Sequence, residues 1–252
     1  MTQPQPTVQF FVTCLLDSLF PDVAQDVVTV LQRQGVRVEV PARQTCCGQP
    51  AFNAGFWPEA RRAAAYTIHL LAQTTGPIVI ASGSCAAMIM HEYEVLFQDD
   101  PVMHEKAKAV ARRVVEFSQY LVDHLGVTDV GASLEKKVVY HPSCHGLREL
   151  GLKTQPQALL QNVEGLEVVP QDKPQTCCGF GGLFAIKMAD ISGAMMNERL
   201  DAFLATGAEL VVGGDVSCLM HLEGGLRKRG CDLRTCHIAT VLANRVDNRI
   251  YD

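Results

Sequence analysis

Eight of the ten cysteines in this chain form a pattern of thiols that occurs twice. In each copy, a single cysteine is followed by an adjacent pair of cysteines with a glycine after it, and then by another single cysteine. Four thiolates satisfy either a tetrahedral metal ion or a cluster of four irons. The sequence therefore predicts two metal sites, and their ligands are Cys14, Cys46, Cys47, Cys85, Cys144, Cys177, Cys178 and Cys218.

The two copies of this pattern are nearly equal in spacing and share flanking sequence. Residues 8–14 resemble residues 138–144, and each cysteine pair follows a threonine and precedes a glycine. Internal repetition of this kind indicates two copies of one structural unit. We therefore expect two domains, residues 1–130 and residues 131–252.

The composition of the chain limits its class and its partners. With 252 residues, of which 48% are hydrophobic, the chain is long enough to bury a core in each half. A net charge of −5, with basic and acidic residues mixed, leaves no basic stripe, so no nucleic-acid partner is expected. The sequence shows neither a secretory signal nor a transmembrane segment, which predicts a cytoplasmic protein whose reduced thiols can bind metal.

The first half is predicted to alternate strands with helices. Short β-prone runs predict strands, and apolar residues at helical spacing predict helices. The expected strands are residues 8–13, 36–40 and 78–81, and the expected helices are residues 22–34, 58–74 and 104–125. The joint between the halves is expected at residues 126–135.

The second half repeats this order. Its expected strands are residues 137–140, 166–169 and 209–212, and its expected helices cover residues 157–162 and 191–205. Parallel strands joined by helices bring their carboxyl ends to one edge of the sheet, where α/β proteins bind ligands. We therefore predict an α/β fold with two pseudo-symmetric Rossmann-like halves. In each half, a small parallel sheet is flanked by helices and has its cysteines at the carboxyl ends of the strands.

Two kinds of metal centre suit this set of ligands. A [4Fe–4S] cluster needs one protein ligand for each iron, which matches four cysteines per half. The ligands are scattered along the chain, whereas structural zinc sites usually have two closely spaced pairs of cysteines. We therefore predict two iron–sulfur clusters, with zinc in one or both sites as the alternative. Gly48 and Gly179 are expected to let the chain turn sharply, so that both cysteines of a pair face one centre.

The chain resembles the CCG-domain (cysteine-rich domain) iron–sulfur oxidoreductases, whose members include the cysteine-rich component of heterodisulfide reductase. The resemblance covers nearly the whole chain and is strongest to the members that serve lactate utilization. It is carried by residues 10–14, 44–50, 141–144, 176–182 and 215–218.

The resemblance implies an iron–sulfur electron-transfer subunit of a cytosolic system that oxidises L-lactate to pyruvate. Such a subunit is active only within a complex. The implied partners are a companion iron–sulfur protein, a third subunit and a 2-hydroxy acid as the small molecule. Two alternative functions stay open: a thiol or heterodisulfide reductase, and a zinc-stabilised assembly subunit without enzyme activity.

One motif of the family is incomplete in this chain. In heterodisulfide reductase each motif ends in C-x-x-C and supplies five cysteines to a non-cubane cluster. Here Ser82 and Asp215 stand three residues before Cys85 and Cys218. Four thiolates per half favour cubane clusters, unless the Ser82 hydroxyl or the Asp215 carboxylate binds iron. The departure also argues against disulfide-cleaving chemistry.

Several residues outside the eight cysteines are candidates for a role at the sites. His141 could donate a hydrogen bond to a cluster sulfur or carry a proton during lactate oxidation, because imidazole titrates near neutral pH. His145 and His237 are weaker candidates. Cys231 and Cys236 have no counterparts in the first half and are interpreted as ordinary buried or surface thiols.

Overall fold

The structure, a computed structural model, describes residues 5–246. Each half contains a four-stranded parallel sheet with helices around it. The first half comprises β1 (Thr7–Phe10), α1 (Cys14–Ser18), α2 (Pro21–Arg33), β2 (Arg37–Glu39), α3 (Gln49–Asn53), α4 (Trp57–Ala72), β3 (Ile78–Ile80), α5 (Gly83–Ala87), a π-helical turn (Met88–Glu92), α6 (Tyr93–Leu96), α7 (Pro101–Ala111), β4 (Val114–Glu116), α8 (Phe117–Gln119) and a second π-helical turn (Tyr120–His124).

The second half has the same order of strands. It comprises β5 (Ser133–His141), α9 (Cys144–Arg148), α10 (Gln155–Gln161), β6 (Glu164–Val168), α11 (Phe184–Lys187), α12 (Ala189–Leu204), β7 (Leu210–Gly213), α13 (Val216–Lys228), β8 (Arg234–His237) and α14 (Ile238–Leu242). The strand order is β2-β1-β3-β4 in the first sheet and β6-β5-β7-β8 in the second. The predicted α/β fold with two similar parallel-sheet halves is confirmed.

The helices bury the apolar faces that the sequence indicates. Helix α2 begins at Pro21, a residue that suits the first turn because its missing N–H would have no partner there. Its buried residues include Val23, Val27, Val30 and Leu31, which recur at helical spacing along one face. This face packs in the core and fixes α2 beside the sheet.

The prediction of one long helix over residues 104–125 is wrong. Helix α7 ends at Ala111, and β4 follows at once, with Val114 and Val115 paired to Ile78 and Val79 of β3. Val114 and Val115 continue the helical spacing of the apolar residues in α7, so the sequence favours a helix there, and the pairing with β3 selects the extended form. Strand β5 also begins inside the predicted joint, at Ser133.

The two halves share one hydrophobic core, besides a separate core in each half. Helix α2 packs against α14, and α5 packs against α9. The buried Asp26 of α2 accepts hydrogen bonds from Thr240 Oγ1 at 2.7 Å and from Arg245 Nη1 at 3.2 Å, both in the second half. These contacts join the halves firmly. Within residues 5–246, none of the helices combines the length and apolar character that a membrane crossing requires.

Candidate metal centres

The first cysteine of each set begins a helix directly after the first strand of its sheet. Cys14 is the first residue of α1, and Cys144 is the first residue of α9. The preceding Thr13 and Ser143 cap these helices, because their hydroxyls accept hydrogen bonds from the backbone N–H groups of Leu16 and Gly146. The caps hold each cysteine where the strand ends and the helix starts.

The last cysteine of each set lies in the first turn of another helix. Cys85 is in α5 after β3, and Cys218 is in α13 after β7. The caps of these helices are Ser82, whose Oγ accepts from Cys85 N at 3.4 Å, and Asp215, whose Oδ1 accepts from Ser217 N at 3.1 Å. The positions that carry cysteine in the full family motif are therefore occupied here by helix caps.

The paired cysteines lie in a sharp turn that depends on glycine, as predicted. Gly48 has φ +90° and Gly179 has φ +87°, which is the left-handed region that other residues rarely adopt. The N–H group of each glycine donates to the sulfur of the first cysteine of its pair, Cys46 or Cys177, at 3.4 Å. A Cβ on Gly179 would also lie 2.6 Å from Ser192 O.

Each set of four thiols forms a connected chain of contacts, and we call the two sets the first and second quartets. In the first quartet the contacts run from Cys14 to Cys46, from Cys46 to Cys47 and from Cys47 to Cys85, where the two sulfurs are 3.4 Å apart. In the second quartet the same contacts run in the same order through Cys144, Cys177, Cys178 and Cys218. All ten cysteines of the chain are free thiols.

One thiolate is strongly favoured in each quartet. The pKa of Cys46 is lowered to about 2, first because Cys14 and Cys47 donate hydrogen bonds to its sulfur and also because the Gly48 N–H does so. The pKa of Cys177 is lowered to about 2 by the matching contacts. A thiolate is the form of cysteine that binds metal, so one sulfur of each quartet is favoured in the form that a metal would need.

The two quartets line one cavity of about 190 Å³. The sequence predicted one site per half but gave no indication that the two sites would share a cavity. Gln49, His145 and Phe180 also line it, and the Gln49 amide nitrogen lies 3.4 Å from His145 Nε2 across the boundary between the halves. The donor set fits soft metal, because each quartet is made of sulfur alone and no carboxylate belongs to it.

Ser82 and Asp215 meet at the boundary between the halves. Asp215 Oδ2 accepts hydrogen bonds from Ser82 Oγ at 3.1 Å and from Ser84 N at 2.9 Å, while Ser217 Oγ donates to Oδ1 at 2.6 Å. Burial alone would raise the pKa of Asp215, but the hydrogen bonds from Ser217 and Ser84 lower it below its ordinary value. These partners account for both side chains without a bound metal.

Glu116 is a second buried carboxyl close to this boundary. It ends β4, its side chain is 1% exposed, and its Oε2 accepts from the backbone N–H groups of Ser118 at 2.6 Å and Gln119 at 3.3 Å. Burial raises its pKa from 4.5 to about 7, and the negative charge of Asp215 adds to the effect. The N–H groups of Ser118 and Gln119 act in the opposite sense but do not cancel it.

We expect Glu116→Gln to make the protein more stable at neutral pH and to change the pH dependence of its stability. The folded state holds more protons than the unfolded state between pH 4.5 and 7, so this carboxyl lowers the free energy of unfolding as the pH rises through that window. A shift of this size corresponds to on the order of 3 kcal/mol. Urea unfolding across the window should show a difference between variant and native protein that grows with pH and then levels off. A difference that is constant with pH would contradict the prediction.

The remaining candidates from the sequence are placed as follows. His141 is 1% exposed, and one ring nitrogen lies within 4.8 Å of the sulfurs of Cys178 and Cys218. Burial and then the charge of Arg199 lower the pKa of His141 to about 3, so its ring is neutral near pH 7. His237 caps α14 through Nδ1 and does not line the cavity.

Cys231 and Cys236 do not line the cavity either. The Cys236 thiol is buried in the shared core and donates to His237 O at 3.4 Å. Sequence reasoning missed Gln49, although it directly follows the Cys46-Cys47-Gly48 turn. It also missed Arg199, which carries no sequence signal because it stands in a polar stretch that resembles a solvated helix face.

Comparison with solved structures identifies a similar fold. A hypothetical protein from Helicobacter pylori matches with a TM-score of 0.69 and 10% sequence identity. The match covers 98% of this chain and 50% of that chain, so this chain spans about half of that structure. At this level of identity the likeness shows the fold alone.

Comparison with curated sequences identifies much more similar relatives. The lactate utilization protein A of Exiguobacterium sp. is 47% identical over 238 residues, which cover 94% of this chain and 97% of the relative. The lactate utilization protein A of Macrococcus caseolyticus is 45% identical, with 95% of this chain and 97% of the relative covered. The family model described as a cysteine-rich domain, CCG, matches residues 8–90 and 138–223, one copy in each half. The chain therefore belongs to the CCG cysteine-rich domain family.

Proposed function

We infer that this chain holds two iron–sulfur clusters and passes electrons in the oxidation of L-lactate to pyruvate. The observation that carries this proposal is the pair of matched quartets of free thiols on one cavity. The names of the relatives, lactate utilization protein A, supply the metabolic context. Reduced thiols point to the cytoplasm as the compartment. A companion iron–sulfur protein and a third subunit would complete the system.

The surroundings of the quartets favour iron–sulfur clusters over zinc. The ligands of each quartet come from the ends of three strands of one sheet, whereas a structural zinc site usually takes its ligands from two closely spaced cysteine pairs. Backbone N–H groups of Leu15, Gly48, His145 and Phe180 approach the cysteine sulfurs. Such hydrogen bonds to sulfur stabilise negatively charged clusters and tune their potentials.

A cluster of this kind, when bound, accepts or gives up one electron at a time. Lactate loses two electrons on becoming pyruvate, so two neighbouring one-electron centres suit its oxidation. The residues of this chain hold the two centres side by side, because both quartets line the same cavity. Asp215, Ser82 and Ser84 fix the relative position of the two halves beneath them.

The test of this proposal begins with protein prepared without oxygen. We expect about eight irons per chain, with a broad visible absorbance that dithionite bleaches. Lactate should bleach the same absorbance when the companion subunits are present and should not do so when they are omitted. Zinc without iron would contradict the proposal and select a structural assembly role instead. Cleavage of disulfides by the reconstituted protein, without a response to lactate, would select a thiol reductase.

A further inference from the structure

The two quartets are alike, but the side chains around them are not. Three residues before the first cysteine of each quartet, the first half has Phe11 and the second has His141. Both side chains are fully buried. Among the described residues, neither ring nitrogen of His141 has a hydrogen-bond partner, and one lies within 4.8 Å of two sulfurs of the second quartet. The second half therefore places an imidazole nitrogen near its quartet, where the first half has only an apolar ring.

A buried arginine adds to this difference. Arg199 is the eleventh residue of α12, and the eleventh residue of the equally long α4 is Thr67. Arg199 is 0% exposed, its guanidinium lies 4.2 Å from the centre of the Phe203 ring, and its Nη1 donates to Lys173 O at 2.9 Å. Its Nε and Nη2 have no partner among residues 5–246.

Arg199 keeps its positive charge at neutral pH. Burial lowers its pKa, but only to about 10. The nearest carboxylate along the helix, Glu198, is engaged at the surface by Lys173 at 2.8 Å. A full positive charge is thus buried close to His141, because both side chains contact the Phe203 ring, and no buried carboxylate among the described residues is paired to it.

Two further positions differ in the same sense. His145 follows Cys144, where Leu15 follows Cys14. His221 lies three residues after Cys218, where Met88 lies three residues after Cys85. His221 Nε2 is 3.4 Å from Ser192 Oγ, which donates to the carbonyl of Gly179 in the cysteine turn. Four positions around the second quartet therefore carry nitrogen-bearing side chains. The matching positions in the first half carry apolar or hydroxyl-bearing side chains.

The buried carboxyls do not cancel this asymmetry. Asp215 lies between the quartets, because it is bonded to Ser82 and Ser84 of the first half as well as to Ser217 of the second. Its charge therefore acts on both centres. Glu116 lies at the same boundary and interacts electrostatically with Asp215 and Tyr140 of the second half.

We propose that Arg199 and His141 give the centre of the second quartet a higher reduction potential than the centre of the first, so that the second-quartet centre takes up the first electron. This inference rests on the proposed function, since it needs a cluster in each quartet. Reduction adds a negative charge, which a buried cation and an N–H donor stabilise, and both effects are strong where water is excluded. Arg199 and His141 stabilise the charge of the reduced centre and do not bind it as ligands.

The test is a redox titration of the fully loaded protein followed by electron paramagnetic resonance. The signals are assigned with Cys47→Ala, which leaves only the second quartet complete, and Cys178→Ala, which leaves only the first. In half-reduced native protein we expect to find the electron on the second-quartet centre at least about tenfold more often than on the first. This ratio corresponds to a difference in reduction potential of about 59 mV for a one-electron couple. Arg199→Met, which keeps the volume and removes the charge, should reduce this preference by about tenfold.

A matched control is Arg62→Met, which removes an exposed arginine from α4 and should leave both potentials unchanged. His141→Phe copies the first-half residue, so it should lower the second-quartet potential even where Arg199→Met fails to fold. Equal potentials in protein with full iron, or second-quartet potentials unaffected by Arg199→Met and His141→Phe, would overturn this inference alone. Absence of iron from the native protein would overturn the proposed function together with it.

Discussion

Replacing Cys47 by alanine should remove about half of the iron that the chain binds, and replacing Cys47 and Cys178 together should remove nearly all of it. Each quartet takes its four sulfurs from one half of the chain. Losing one buried thiolate leaves a centre with three ligands, while the other quartet keeps all four. Iron and sulfide analysis of protein prepared without oxygen measures the result, and the visible absorbance should fall in the same proportion. Lactate-dependent bleaching with the companion subunits should be lost when Cys47 alone or Cys178 alone is replaced.

The matched control for these variants is Cys236→Ala. Cys236 is as buried as Cys47 and Cys178, but it belongs to the shared core and does not line the cavity. The control should lose some stability, on the order of 1 kcal/mol, and no iron. Iron loss in the Cys236 variant would show that the quartets do not define the ligand set. Complete loss of iron in the Cys47 single variant would show that the two centres assemble only together.

The sequence was sufficient to predict that these eight cysteines form two matching groups, because the duplication shows the same cysteine pattern twice. The strands, cysteines and helix starts of one half recur at equivalent positions in the other half, so both halves support the same interpretation. Thr13 and Ser143 were part of the shared sequence, and both are the helix caps that place Cys14 and Cys144. Local chemistry of this kind can be read from a chain without its fold.

The arrangement of the two halves could not be predicted in this way. The shared cavity depends on α5 packing against α9 and on Asp215 reaching Ser82 and Ser84, which are contacts between residues far apart in the sequence. The fourth strand of each sheet was missed, because Val114 and Val115 of β4 continue the helical spacing of the apolar residues in α7, and β8 is not an apolar run. Arg199 was missed because a charged residue in a helix is usually exposed, and only the packing of α12 shows that this one is not.

Replacing Gly179 by alanine should destabilise the protein more than the same change at Gly48, its counterpart in the first half. The residue has φ +87°, which costs an L-residue about 1 kcal/mol. The added Cβ would also meet Ser192 O at 2.6 Å and Met195 Cβ at 3.0 Å, and overpacking of this kind costs about 2 kcal/mol. We therefore expect the free energy of unfolding to fall by about 3 kcal/mol, measured by denaturant titration.

Two control glycines separate backbone strain from the clash. Gly35 has φ +76° with no atom within 4 Å of an added Cβ, so Gly35→Ala should cost only the strain, about 1 kcal/mol. Gly48 is the first-half counterpart of Gly179, and its nearest atom, Ala60 O, would lie 3.2 Å away, so its cost should fall between the other two. Gly179→Ala should also empty the second quartet of iron before the first, because Ser192 of α12 must move away from the turn that holds Cys177. An equal loss of stability at Gly35 and Gly179 would mean that α12 moves aside without a measurable loss of stability. The turn would then not depend on its close approach to α12.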